Sequence, residues 1–67
     1  MLLNINQLSI ILGCSTKTIR RLIQRGEIHA KKIGRVLRIA PKELIKWFGS
    51  IDEVNQAIQE MRKGGKQ

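Results

Sequence analysis

Basic side chains are concentrated in the middle of this 67-residue sequence, where they could neutralise a polyanion. Residues 17–38 carry eight Lys and Arg side chains against one acid, Glu27, whereas residues 1–16 carry no charged side chain. The segment therefore holds +7 of the formal net charge of +8. A charge block of one sign must stay solvated, and its natural partner is nucleic acid or an anionic membrane surface. The eight side chains are Lys17, Arg20, Arg21, Arg25, Lys31, Lys32, Arg35 and Arg38.

Between these partners, the sequence favours DNA. Membrane binding needs a basic helix with a broad free apolar face, and in so short a chain we expect the core to use that face. Recognition of single-stranded RNA usually needs exposed aromatic side chains, of which only Trp47 and Phe48 exist. Residues 1–16 are interrupted by polar side chains and are too short to span a membrane, so we expect a cytoplasmic, nucleoid-associated protein.

The residues that could act as nucleophiles or metal ligands lack partners in the sequence. Cys14 is the only cysteine and His29 the only histidine. Ser15 and Thr16 have no arranged histidine or acid to activate them. We therefore expect no enzyme activity, no cofactor and no metal, and we interpret Cys14 as a small filler in a turn.

Two helices joined by a tight turn are predicted to position the first part of the basic block. Asn4 and Gln7 form a capping-box pattern before a helix over residues 5–12. Gly13 suits the left-handed end of that helix, and Ser15 suits the N-cap of the next. A connection this short is typical of the helix-turn-helix unit.

The second helix, which we expect to end at Gly26, has one apolar and one basic side. Ile19, Leu22 and Ile23 fall on one stripe that can face the first helix. The other side contains no acid, although structural surface helices usually mix acids with bases. It carries Thr16, Lys17, Arg20, Arg21 and Gln24.

The second half of the block is predicted to form a β-hairpin, because residues 29–33 and 36–39 alternate around Gly34 and Arg35. A two-residue loop would pair Lys32 with Leu37. We prefer a three-residue loop over residues 34–36, because it separates apolar from basic side chains.

In this preferred register Ile33 faces Leu37, with Ile39 on the same face. Lys32 and Arg38 then lie on the outer face, and Arg35 lies at the tip. An Arg-tipped hairpin beside a basic helix is typical of a wing that contacts the DNA backbone or minor groove.

A third helix is predicted from Pro41 to Gly49, with Leu44, Trp47 and Phe48 on its apolar stripe. We expect this helix to close the core and Trp47 to be buried in it.

A fourth helix is predicted from Ile51 to about Arg62, capped by Ser50 and Glu53. Its apolar stripe has three alternative uses: packing on the domain, a homodimer seam, or docking on a recombinase. We divide the chain into a DNA-binding domain (residues 1–49), a helix for dimer or partner contact (50–62) and a frayed tail (63–67). The stripe consists of Ile51, Val54, Ile58 and Met61.

From about Leu3 to Phe48, and most clearly in residues 12–28 and 38–47, the chain resembles the excisionase-like winged helix-turn-helix family, which is related to the DNA-binding lobe of MerR-type regulators. The most specific features are the turn pattern (Leu12, Gly13, Ser15, Thr18), Gly34-Arg35 and Trp47. The resemblance implies a mainly α fold with a small hairpin. This fold consists of a helix-turn-helix, a two-stranded wing and a third helix, here followed by a C-terminal helix.

The resemblance also implies function. The family includes recombination directionality factors, which act beside an integrase of a phage or mobile element, and small transcriptional repressors or activators. Two positions depart from the family pattern, because Arg20 stands where an aromatic residue is frequent and Leu37 where Trp is frequent. The predicted DNA-binding residues are Ser15, Thr16, Lys17, Thr18, Arg20, Arg21, Gln24, Arg25, Lys31, Lys32, Arg35 and Arg38.

Overall fold

Four α-helices and one antiparallel β-hairpin follow one another in the computed structural model, which describes residues 2–64. This architecture confirms the predicted fold class and is that of a winged helix-turn-helix with a C-terminal helix. Within the described residues, no helix has the length and apolar composition needed to cross a bilayer. The elements are α1 (Ile5–Leu12), α2 (Thr16–Gln24), β1 (Ala30–Ile33), β2 (Val36–Ile39), a 3₁₀ turn (Pro41–Leu44), α3 (Ile45–Phe48) and α4 (Ile51–Gly64).

The turn between α1 and α2 is fixed by hydrogen bonds at both helix ends. Asn4 Oδ1 accepts from the Gln7 N–H at 2.7 Å, and the Asn4 N–H donates to Gln7 Oε1 at 2.9 Å, which confirms the capping box. Gly13 ends α1 with φ 69°, and the Cys14 N–H donates to the Ser9 carbonyl at 3.0 Å. Together with the bond from the Gly13 N–H to the Ile10 carbonyl, this is a Schellman motif.

Among the described residues, eight buried side chains make one core to which α1, α2, β2, the 3₁₀ turn, α4 and two connecting segments contribute. Leu3 reaches it from the N-terminal segment, which exchanges two backbone hydrogen bonds of 2.8 Å with Ile39 of β2. The hairpin is thereby tied to the helices at its base. The buried set is Leu3, Leu8, Ile19, Ile28, Ile39, Leu44, Val54 and Ile58.

The hairpin has a two-residue loop, so the preferred three-residue register is wrong. Ile33 pairs with Val36, Lys32 with Leu37, and Lys31 with Arg38. Gly34 has φ 64°, and no residue other than glycine has positive φ among the described residues. A left-handed glycine followed by a residue of negative φ is the pattern of a type II′ turn, whose twist matches that of paired strands.

The tip of the hairpin lies beyond the core, which explains why separation of apolar from basic side chains does not set the register. Ile33 and Val36 are 53% and 44% exposed, whereas Ile39 at the base is fully buried. Because Ile39 is buried in either register, its burial does not favour one of them, and the geometry of the turn sets the register. In the observed register, Arg38 shares the outer face with Lys31, and Lys32 lies on the opposite face with Leu37.

Trp47 is 40% exposed, so its predicted burial in the core is wrong. The segment begins as a 3₁₀ turn, which has three residues per turn instead of 3.6 and therefore rotates the apolar stripe. Leu44 is buried, while Ile45 and Phe48 pack partly buried against the core. Lys46 instead covers Trp47, with Nζ 4.9 Å from the ring centroid.

Helix α4 packs back on the domain, which is one of the three alternatives considered for its stripe. Val54 and Ile58 belong to the buried core, and Met61 packs partly buried against it. For Val54 and Ile58 the predicted dimer or partner contact is therefore wrong, since both are buried in the core, whereas for Ile51 and Met61 it stays a prediction. Ile51, at the start of α4, is 41% exposed.

Helix α4 starts at Ile51 as predicted, but its carboxyl end lies beyond the predicted bound. The Glu53 N–H donates to Ser50 Oγ at 3.2 Å, which is the Ser50 half of the predicted capping box. The helix continues through Lys63 and Gly64, which were predicted to be frayed. The rest of the predicted tail, residues 65–67, lies outside the described residues.

Candidate nucleic-acid interface

Helix α2 is held with its basic side toward solvent. Ile19 is fully buried, and Leu22 and Ile23 pack partly buried against the core, as the sequence predicts. The other side of the helix is exposed and contains no acid, so its positive charges add to one field. The exposed side chains of α2 are Thr16, Lys17, Thr18, Arg20, Arg21 and Gln24.

The first turn of α2 is fixed by Ser15 and Thr18. Ser15 Oγ accepts from the Thr18 N–H at 3.2 Å and lies 3.0 Å from Thr18 Oγ1. Both hydroxyl groups therefore stabilise the helix terminus. We expect Ser15 and Thr18 to orient α2, while the longer side chains that follow provide the reach to a ligand.

An open groove of about 360 Å³ lies between α2, the amino end of α1 and the tip of the hairpin. Arg20 contributes from α2 and Arg35 from the loop between β1 and β2. Two guanidinium groups beside one groove can donate several hydrogen bonds to phosphate oxygens or to base edges. The lining residues are Asn4, Ile5, Asn6, Thr16, Arg20, Arg35, Val36 and Leu37.

The groove includes Asn6, an exposed amide in the first turn of α1 that is not among the DNA-binding residues predicted from the sequence. An amide can both donate and accept, which suits an adenine edge or a phosphate. The sequence signal was weak, because a polar residue in the first turn of a helix is ordinary. Only the hairpin tip, brought beside α1 by the fold, makes Asn6 a candidate.

The remaining basic side chains of the block do not gather in this groove. Arg25 Nε lies 3.3 Å from Glu27 Oε2 at an exposed position, so part of its charge is offset. Lys31 and Arg38 share the outer face of the hairpin and line a different cavity. Lys32, on the opposite face, is exposed. The fold thus divides a continuous basic segment into separate surfaces.

His29 connects the beginning of the hairpin to the 3₁₀ turn. Its backbone N–H donates to Glu43 Oε1 at 3.0 Å, and its Nδ1 lies 3.2 Å from the same oxygen. The donated backbone hydrogen bond lowers the pKa of the Glu43 carboxyl from its ordinary value of 4.5, and the His29 ring and Lys42 act in the same direction against partial burial. The pair holds the hairpin at a fixed position beside the 3₁₀ turn.

Replacement of this carboxylate should give a pH-dependent loss of stability. Because the pKa of Glu43 is lowered in the folded state, its charge stabilises the fold above the unfolded value of 4.5, and this contribution is lost as pH falls through the folded pKa. We expect Glu43→Gln to unfold at lower urea concentration than the wild type at neutral pH and to match it in strong acid. The control Glu60→Gln removes the same charge from a residue that does not contact His29, and it should show no such pH dependence. If Glu43→Gln were less stable than the wild type by the same amount at every pH, the assignment would be contradicted.

Comparison with known protein families finds a match over most of the chain. The sequence profile of the family described as the helix-turn-helix domain matches residues 2–50, which cover α1, α2, the hairpin and α3. No match is found among curated proteins or among solved structures. Because the matched region is most of the chain and coincides with the elements that carry the basic surface, the protein belongs to the helix-turn-helix domain family, a family of DNA-binding proteins.

Proposed function

We propose that the protein binds double-stranded DNA sequence-specifically, with α2 in the major groove and the hairpin tip on the adjacent backbone or minor groove. The observation that carries this proposal is the exposed side of α2, on which every charged side chain is positive. The major groove is about 12 Å wide and admits an α-helix. Arg35 at the hairpin tip extends the positive surface beyond the helix.

The contacts divide into base reading and positioning. Arg20 and Arg21, in the middle of α2, are the candidates for bidentate contacts to guanine, each worth about 1–3 kcal/mol of base discrimination. Lys17 and Arg35 neutralise phosphates, and Asn6 adds an amide in the same groove. The proposed set in residues 1–49 is Asn6, Ser15, Thr16, Lys17, Thr18, Arg20, Arg21, Gln24, Arg25, Lys32 and Arg35.

A single domain of this size makes a small DNA interface, on the order of 600–1,000 Å². Useful specificity then needs repeated sites, a second copy or a partner that is already bound to the DNA. This requirement, with the resemblance to excisionase-like proteins, supports an accessory role in excision of a phage or mobile element beside an integrase. The alternative is a small repressor or activator of such an element, which would use the same interface.

Selection of a random duplex library with the whole chain tests the proposal. We expect enrichment of a defined motif, and several copies at a fixed spacing would support the excision role. If an integrase gene lies beside the gene of this protein, addition of the protein to an excision reaction with that integrase should raise excision. Enrichment of no motif would contradict sequence-specific binding, whereas one isolated motif without repeats would favour the regulator.

The hairpin tip is tested separately by the salt dependence of binding. If Arg35 neutralises one phosphate, Arg35→Ala should weaken binding and reduce the slope of log affinity against log salt by about 0.9. Titrations of one duplex at several salt concentrations give the slope. Arg62→Ala removes the same charge from the exposed surface of α4 and should leave the slope unchanged. Equal salt slopes for Arg35→Ala and the wild type would show that the hairpin tip does not contact a DNA phosphate.

A further inference from the structure

A second cavity, of about 410 Å³, lies on the outer face of the hairpin, where β1 and β2 meet the 3₁₀ turn. It shares no lining residue with the groove beside α2. We name it the outer hairpin groove and define it by Leu2, Lys31, Ile33, Arg38 and Lys42. The DNA interface proposed above uses none of these five side chains.

The outer hairpin groove combines apolar side chains with cations. Leu2 and Ile33 are 46% and 53% exposed, although each would gain from burial. Lys31 and Arg38 lie on the same face as Ile33 because all three alternate along the paired strands. Lys42 adds a third cation from the 3₁₀ turn. The one carboxylate in the lining, that of Glu43, already accepts from His29.

This combination fits an acidic peptide better than a second DNA contact. A DNA backbone would use the cations and leave the two large apolar side chains in water. A peptide that carries both carboxylates and apolar side chains would satisfy both features. The surface is also concave, and a cavity of this volume accepts protruding side chains, whereas a bilayer presents no such protrusion.

We propose that the outer hairpin groove binds an acidic segment of a partner protein. An apolar side chain of that segment contacts Leu2 and Ile33, and its carboxylates pair with Lys31, Arg38 and Lys42. The segment and the duplex would occupy different sides of the hairpin, so one molecule could hold both at the same time. The proposal does not depend on the DNA-binding function.

The test begins with the full chain as bait for a displayed library of random dodecapeptides. We expect the enriched peptides to carry net negative charge together with apolar residues. The most enriched peptide is then synthesised with a fluorophore and titrated by anisotropy. Enrichment of no peptides, or of peptides without net negative charge, would overturn the proposal.

Variants locate the bound peptide. Lys31→Gln/Arg38→Gln should weaken peptide binding by about fivefold, the loss expected for two exposed ion pairs. Ile33→Thr, which keeps a β-branched residue on the strand, should also weaken it. The matched control, Arg62→Gln/Lys63→Gln, removes one Lys and one Arg from the exposed surface of α4, outside both proposed interfaces, and should retain full peptide affinity. Thermal melts verify that each variant is folded.

The same variants separate the peptide from other polyanions. Titrated with a random-sequence duplex, Lys31→Gln/Arg38→Gln should lose no more affinity than the control pair. A larger loss for the duplex without a loss for the peptide would show that the groove is a DNA contact and would overturn the proposal. Binding of anionic vesicles that depends on Lys31 and Arg38, without peptide binding, would overturn it as well.

Discussion

Deletion of residues 51–67 is expected to unfold the domain, although the family match ends at Ser50. The deletion removes Val54 and Ile58, two of the eight buried side chains, and exposes the surface of the core that they cover. Helix α4 packs against the 3₁₀ turn, α3 and α1, so its loss uncovers three elements at once. The matched region alone would be a chain of about fifty residues, close to the size at which an unassisted core becomes insufficient.

The expected energies support this result. Burial of a Val or Ile side chain contributes about 1.5–3 kcal/mol. A domain of this length has a total free energy of unfolding of roughly 3–10 kcal/mol. Removal of two such side chains also exposes their neighbours to water. Together these losses are comparable with the whole free energy of unfolding.

Circular dichroism melts of the fragment 1–50 and of the full chain measure the effect, and we expect no cooperative transition for the fragment. In the full chain, Ile58→Ala should reduce the free energy of unfolding by about 2–5 kcal/mol. Gln59→Ala, at the adjacent exposed position, should change it by less than about 0.5 kcal/mol. If the fragment melts as cooperatively as the full chain, α4 is not needed for folding. Its apolar stripe would then again be a candidate for partner binding.

The features that the sequence predicted correctly depend on residues close together in the chain. Asn4 with Gln7, Gly13 and Ser15 each act within one helical turn, through a cap bond or a left-handed backbone. Their geometry is set by side chains three or four positions away, and the bounds of α1 match the prediction. Local hydrogen bonding leaves few alternatives at such positions.

The features that the sequence predicted wrongly depend on contacts between distant elements. The separation of apolar from basic side chains favours a three-residue loop, but the hairpin tip lies outside the core and the backbone conformation of Gly34 sets a two-residue loop. Ile45 packs against the core and Trp47 is exposed, because the segment begins as a 3₁₀ turn and its side chains are rotated relative to an α-helix. For Val54 and Ile58, an apolar stripe has the same sequence pattern whether it packs on its own domain or on another protein.

The candidate site shows the same division between local and distant effects. The positive side of α2 follows from helical spacing, and its exposure confirms the predicted pattern. The sequence does not predict that Arg35 lies on a different surface from Lys31 and Arg38. That arrangement depends on the hairpin register and on where the hairpin meets the helices. A charge block in the sequence therefore indicated a polyanion partner without indicating how many surfaces it forms.

Arg20→Ala/Arg21→Ala is expected to have the largest effect on DNA binding. If each guanidinium contributes about 1–3 kcal/mol of base discrimination, the double variant loses roughly 30-fold or more in affinity for its selected sequence. Both side chains are exposed and make no contact that holds the core, so the free energy of unfolding should change by less than about 0.5 kcal/mol. The defect is thus expected in recognition alone.

Loss of general positive charge is distinguished from loss of base reading by a matched control and a second duplex. Arg62→Ala/Lys63→Ala removes the same charge from α4, so it should weaken binding to selected and random duplexes by the same small factor. Arg20→Ala/Arg21→Ala should instead reduce the ratio between the two affinities, because phosphate contacts serve every sequence whereas base contacts serve one. An unchanged ratio would place base recognition elsewhere on the domain. In that case, because Asn6 and Arg35 line the same groove as Arg20, they become the next residues to test.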